Sequence, residues 1–227
     1  MMAADQLVQN WQAQDIAIVH DGQAYGLGVA EAARQRLQER GVNEVMFEAI
    51  EPGKTDYFDL IDRLQAKGVD ALFFGGYYAE AGLIIRQARS RGYDIRMIGP
   101  DTLNTDFFWR VAGDASEGVL FPSNRELRNE PDAAPLVGRF RAKGYEPEGI
   151  TLQFYIATQV WAEAVEKAGT LGLEAVIETL RTHQFDTLVG AIGFDAKGDV
   201  TGYKPFEWYI WKGGHYYAPI DPAELAE

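Results

Sequence analysis

Ile16-Ala17-Ile18-Val19-His20-Asp21-Gly22-Gln23-Ala24-Tyr25-Gly26 carries a short, mostly apolar run into a polar turn. Leu27, Ala30, Ala33 and Leu37 then recur at helical spacing until Gly41 stops the pattern. A strand apolar on both faces that feeds directly into an amphipathic helix is the first half of a β-α-β unit. The same arrangement returns twice. Ala71-Leu72-Phe73-Phe74 enters the turn Gly75-Gly76-Tyr77-Tyr78, and Ile95-Arg96-Met97-Ile98 enters Gly99-Pro100-Asp101. If these are strands of one parallel sheet, Tyr25, Tyr77 and Asp101 follow strand carboxyl ends, where open α/β sheets collect ligands.

Working outward, residues 5–13 read as a helix, with Leu7, Val8 and Trp11 on one face. Strand 16–20, a helix over about 26–40, strand 45–47, a helix ending near Lys67, strand 71–74, helix 80–91 and strand 95–98 follow. Thr55 or Asp56 is placed to cap the helix ending near Lys67. Asn104 or Thr105 caps a further short helix, and Glu117 to Phe121 reads as a fifth strand. Such alternation predicts an α/β fold with a doubly wound parallel sheet and right-handed crossovers. The pattern changes after Phe121. Helical segments are expected at 133–143, 150–168 and 171–182, with no sheet of their own. A β-rich end follows, including Phe206 to Trp211 and a hairpin turn at Gly213-Gly214. The expected organisation is a complete α/β lobe at 14–121, a helical remainder at 122–190 and a β-rich segment at 191–227.

The net charge of −13 over 227 residues, with scattered Lys and Arg, argues against nucleic acid, which needs clustered cations for phosphate. No apolar run approaches the ~20 residues of a spanning helix. The absence of cysteine removes disulfides, thiolate catalysis and zinc–sulfur sites together. Met1-Met2-Ala3-Ala4-Asp5-Gln6 has neither a basic nor an apolar leader pattern, so no signal peptide is expected in this chain.

Asp101 suits either a turn former or an acceptor for a cationic ligand group. Tyr77 offers a hydroxyl and an aromatic wall after two glycines that would let a ligand approach the backbone; its plain alternative is packing. Tyr25 lies before a helix whose free N–H groups would favour a carboxylate. Together the three describe a site for a small zwitterion. Gly26-Leu27-Gly28 invites a dinucleotide reading, but Glu31 stands in place of the third glycine and Asp21 would repel pyrophosphate. His20 reads as a hydrogen-bonded wall residue, and His183 and His215 as surface residues. The pairs Glu48/Glu51 and Asp195/Asp199 read as solvated loop charges. Neither catalysis nor a cofactor nor a metal is called for.

These motifs resemble the periplasmic leucine/isoleucine/valine-binding proteins of bacterial ABC importers. The likeness runs through Ile16–Asp21 with Tyr25-Gly26-x-Gly28, Phe74–Gly82 with Arg86–Arg89, Gly99-Pro100-Asp101, Ala115–Gly118 and Gly190–Asp199, in consistent order. The resemblance implies a type I periplasmic binding fold, two α/β lobes joined by three crossing strands that close on an amino acid. It implies that Tyr25 and Tyr77 line the ligand and that Asp101 receives its α-ammonium, where the best-known members carry the longer Glu. It also implies a first lobe, most of which has no counterpart here, bearing the groups for the ligand's carboxylate. The helices at 133–182 would pack on that lobe, and Phe154, Ile156, Val160, Trp161 and Val165 would otherwise be exposed. Self-association or a companion first-lobe fragment is therefore expected. The other implied partners are an amino acid and a membrane-bound ABC permease, and the implied location is the periplasm. An amino-acid or amide sensing module is the alternative use of the same fold; a Rossmann-like nucleotide-dependent enzyme is a third reading.

Overall fold

The computed structural model describes residues 2–147, 150–204 and 206–217, and the chain divides into two compact units, Met1–Ser123 with Phe206–Glu227, and Asn124–Pro205.

In the first unit, β1 (Ile16–His20), β2 (Met46–Ala49), β3 (Ala71–Gly75), β4 (Arg96–Ile98) and β5 (Leu120–Asn124) alternate with helices. The helices are α1 (Met2–Asp5), α2 (Ala24–Glu39), α3 (Phe58–Ala66), α4 (Tyr78–Ser90) and α5 (Asp106–Ala112). Pairing is parallel from β2 through β5, with Ile18 opposite both Phe47 and Phe73, Phe73 opposite Ile98, and Ile98 opposite Leu120. β1 and β3 are buried along their whole length, because helices cover both faces. Ala17, Val19, Leu72 and Phe74 face a core shared with Leu64 of α3 and Ile84 of α4. Ile16, Ile18, Phe73 and Ile98 face Ala33 and Leu37 of α2. The doubly wound parallel sheet is thus present as the alternation predicts.

Several boundaries move. The first helix starts at Met2, and Gln6–Asn10 continues it as a π-helix rather than as α-helix to residue 13. Leu7 and Trp11 are nevertheless buried, so the apolar face is real. Asp56 Oδ1 accepts from Phe58 N at 2.9 Å, one residue ahead of the N-cap position, whereas Thr55 uses its carbonyl to receive Gln87 Nε2 at 2.8 Å. Thr105 caps α5, its Oγ1 accepting from Phe107 N at 3.4 Å. The fifth strand lies three residues later than Glu117–Phe121, because Gly113–Ser116 forms a 3₁₀ turn and Gly118 (φ +77°) reverses the backbone.

The larger differences concern the end of the chain. β9 (Phe206–Lys212) and β10 (His215–Tyr217) form the hairpin expected at Gly213-Gly214, both of whose φ angles are positive. This hairpin joins the large sheet, whose order is β10-β9-β5-β4-β3-β1-β2. Trp211 N bonds Val119 O, and Gly118 N bonds Trp211 O, each at 3.0 Å. The region grouped as 191–227 is therefore shared between two sheets; its part beyond Tyr217 lies outside the described residues.

The second unit contains α6 (Ala134–Ala142), α7 (Thr151–Ala168) and α8 (Leu173–Thr182) close to their expected spans. Contrary to expectation it has a sheet of its own. β6 (Phe185–Thr187), β7 (Gly190–Phe194) and β8 (Val200–Thr201) pair antiparallel. Asp195 makes the second turn: its Oδ1 accepts from the backbone N–H of Lys197, Gly198 and Asp199. Those hydrogen bonds, the one from Asp199 first, hold its carboxyl below the ordinary range. Because this sheet covers one side of α7, Ile156 and Val160 are buried and Val165 is partly buried, unlike the expected exposure; Phe154 and Trp161 remain open.

Candidate functional site

In the order β2-β1-β3-β4-β5, the first crossover leaves β1 in one direction and later ones leave in the other. A crevice opens where the direction switches, beyond the carboxyl ends of β1 and β3. Tyr25 stands in the first turn of α2, immediately after β1, and Tyr77 is the N-cap residue of α4, immediately after β3. Asp101 begins the 3₁₀ turn Asp101–Leu103 after β4. The structure brings these three together. Tyr25 Oη donates to Asp101 Oδ1 at 2.5 Å, and the rings of Tyr25 and Tyr77 are 5.6 Å apart at a tilt of 41°.

The electrostatics follow from that geometry. Burial first, then the hydrogen bond to Asp101 and the charges of Asp101 and Tyr77, raise the Tyr25 hydroxyl far above the usual phenol range. Tyr25 therefore stays a neutral donor. One carboxylate oxygen of Asp101 is engaged, and among the described residues no donor reaches Oδ2. Tyr77 is 46% exposed, so its ring packs on Tyr25 and is otherwise open to solvent. A cavity of about 480 Å³ opens beside Tyr25 and Asp101, its other walls including Val29, Ala33, Phe73 and Pro122. The arrangement offers one carboxylate oxygen, a fixed hydroxyl and aromatic surface to an amphipathic cation.

The glycines have a different explanation from ligand approach. A Cβ on Gly75 would lie 2.3 Å from Gly26 O, and one on Gly26 would lie 2.2 Å from Asp21 Oδ1 and 2.5 Å from Gly75 O. The two glycines let α2 start directly against the end of β3, which sets Tyr25 beside Tyr77. A Cβ on Gly76 would meet the Phe74 ring at 2.7 Å. Among the described residues Gly28 has no heavy atom within 4 Å of that position, so only part of the Gly26-Leu27-Gly28 spacing is a packing requirement. Gly75→Ala is expected to cost about 1–3 kcal/mol through backbone displacement, measured as a lower thermal unfolding midpoint.

The expected carboxylate site at the start of α2 is altered as well. Asp21 is buried, and its own Oδ1 accepts from Gln23 N at 2.9 Å. Its negative charge sits where an incoming anion would otherwise meet the helix dipole. Thr102 is a positioning residue that the sequence reading passed over: its Oγ1 donates to Gly76 O at 2.6 Å and ties the loop after β4 to the loop after β3. A hydroxyl directly after Asp101 in a Gly-Pro-Asp-Thr turn was the available signal.

His20 is buried, accepts from Gly22 N on Nδ1 at 3.1 Å and packs on Phe47, the wall role read for it. Glu48 pairs with Arg63 and Glu51 with Lys54, as solvated charges. No described helix is long and apolar enough to cross a membrane.

The sheet order, with its switch point between β1 and β3, defines a doubly wound α/β lobe, and residues 2–213 match the periplasmic binding protein family. The chain belongs to that family. Among its relatives is the leucine-, isoleucine-, valine-, threonine- and alanine-binding protein of Pseudomonas aeruginosa, 37% identical over 206 residues, 90% of this chain and 55% of that protein. A Leu/Ile/Val-binding protein homolog of Brucella melitensis is 35% identical over 218 residues, 95% of this chain and 59% of that one. Among solved structures, a leucine binding protein from Thermotoga maritima superposes with a TM-score of 0.81 at 26% identity, covering 95% of this chain and 62% of its own. The substrate-binding protein of a branched-chain amino acid transporter from Streptococcus pneumoniae, solved with isoleucine, gives 0.76 at 25% identity, with 95% and 62% covered. The chain thus spans little more than half the length of these curated relatives, and its fold is that of the type I periplasmic binding proteins.

Proposed function

We propose that this chain carries the ammonium-facing half of an amino-acid clamp, in the solute-binding component of an ABC importer for branched-chain or related amino acids. The carrying observation is the contact of Tyr25 with Asp101 beside the Tyr77 ring at the switch-point crevice. In this reading Asp101 receives the α-ammonium on Oδ2, while Tyr25 holds Oδ1 and keeps the carboxylate from swinging away. Tyr77 shields that ion pair from water, and lower local dielectric strengthens it. The groups for the ligand's carboxylate belong to the first lobe. The cycle is binding and release with no bond made or broken, which is why the crevice needs neither a general base nor a cofactor. The working location is the periplasm, and the downstream partner is a membrane permease. Names of the relatives support this reading: the Pseudomonas protein is called a binding protein for five amino acids, leucine among them.

Asp101→Asn removes the charge and keeps the shape. It is expected to weaken leucine binding by about 1.5–3 kcal/mol, the usual worth of a charge-assisted hydrogen bond, or roughly ten- to hundredfold. Calorimetric titration with millimolar leucine measures it. An Asn variant that binds as well as the parent chain removes Asp101 from the site.

A further inference from the structure

At the end of the large sheet opposite Tyr25 and Asp101, the strands leave a gap. β4 begins only at Arg96, and its one described pair with β5 is Ile98 with Leu120. Below that pair Gly118 turns the chain, and Gly118 and Val119 bond sideways to Trp211. A notch of about 520 Å³ remains between the start of β4 and the end of β9, within the size range of small-molecule sites.

Its lining combines apolar Trp11, Leu120 and Ile210 with cationic Arg89, Arg96 and Lys212, and includes the carboxylates Asp94 and Glu117. The cations are only partly compensated, each of the two ion pairs using one guanidinium nitrogen. Arg96 lies over the Trp11 ring at 4.9 Å and donates to Trp11 O at 3.2 Å, but reaches Asp70 only at 3.7 Å. Arg89 uses Nη1 on Tyr93 O, and the same nitrogen lies 2.8 Å from Asp94, a side chain 94% exposed and so strongly screened. Its Nε and Nη2 have no acceptor among the described residues. Burial outweighs Asp94 and lowers the Arg89 guanidinium below its ordinary range. Lys212 has no ion pair among the described residues. Glu117, the other carboxylate here, accepts from Gly213 N at 2.8 Å. Such a cluster is conspicuous in a chain of net charge −13.

We propose that this notch is a second ligand site, for a small carboxylate with an aromatic or aliphatic body. The carboxylate is held by Arg89, Arg96 and Lys212, and the body lies on Trp11 and Ile210. The site is separate from the crevice and does not depend on the transport reading.

The test uses phenylacetate, its neutral counterpart phenylacetamide and inorganic phosphate on the full chain, followed by thermal shift and tryptophan fluorescence. Phenylacetate should raise the unfolding midpoint saturably and change the fluorescence. Phenylacetamide and phosphate should each bind about tenfold more weakly or worse, for want of charge or of an apolar body. Arg89→Gln and Lys212→Gln, both at side chains with solvent contact, should each weaken phenylacetate about tenfold. Trp11→Phe should keep the midpoint shift and lose most of the fluorescence change. Equal binding of the amide, equal binding of phosphate, or an undiminished response in the Arg89 and Lys212 variants would each overturn the assignment. So would the absence of any saturable phenylacetate effect.

Discussion

Trp211→Ala is expected to lose about 3–5 kcal/mol of folding stability, the usual cost of deleting a buried large aromatic side chain. The indole is fully buried, with ring centroids 5.5 Å from Phe108 and 5.3 Å from Tyr216. Its Nε1 donates to Leu103 O at 3.2 Å. Leu103 ends the 3₁₀ turn that begins with Asp101, so the same ring closes the core under β5 and steadies the candidate ammonium site. Urea unfolding should show a lower midpoint at unchanged slope. Trp211→Phe separates the two roles: it keeps most of the packing but loses the hydrogen bond, at about 1 kcal/mol plus a smaller cavity cost. An alanine variant with the parent's midpoint would mean that the terminal hairpin does not contribute to this core.

That dependence on Trp211 shows where local sequence stops being informative. β1 and β3 were legible because burial on both faces demands an uninterrupted apolar run, and Ile16–Val19 and Ala71–Phe74 supply it. Tyr25, Tyr77 and Asp101 were legible as a group because each follows a strand, and a parallel sheet gathers such positions at one rim. Their mutual contacts were not, since 76 residues separate Tyr25 from Asp101 and no pattern in either segment encodes the distance. The placement of β9 beside β5 fails for the same reason. Phe206–Lys212 reads as a strand, but its partner is fixed by Gly118 and Val119, which bond the Trp211 backbone from some 90 residues earlier in the chain. Of the small sheet of the second unit, β7 and β8 fall in the stretch expected to be β-rich, whereas β6 lies in the segment read as helical and, at three residues, is too short to show a period. Gly75-Gly76 is instructive in another way. Its composition suggested room for a ligand, whereas the space is filled by Gly26 O and Phe74.

Leucine binding by this chain alone is expected to be weak. In the proposed clamp the crevice supplies the ammonium contact and aromatic walls, and the first lobe supplies two or three charge-assisted contacts to the carboxylate. At their usual worth those amount to ~3–6 kcal/mol, or roughly 10²–10⁴-fold in affinity. The relatives, of which this chain's match spans 55% and 59%, are longer by the sequence from which such contacts would come. The second unit points the same way. Phe154 is 64% and Trp161 52% exposed on α7, and an apolar cavity of about 340 Å³ lies between Ile156, Val160 and Ile192. Gln153 Oε1, at its wall, is buried without a donor among the described residues, which costs free energy until a partner supplies one. We propose that this face is covered either by a companion first-lobe fragment or by a second copy of the chain. Calorimetry should therefore find leucine binding far weaker than micromolar for the chain by itself, and stronger binding once the first-lobe segment of a relative is supplied in trans. Light scattering of the chain alone should show self-association when no fragment is present. Micromolar leucine binding by a monodisperse monomer would contradict both halves of the proposal, because neither a missing carboxylate site nor an uncovered apolar face could then be limiting.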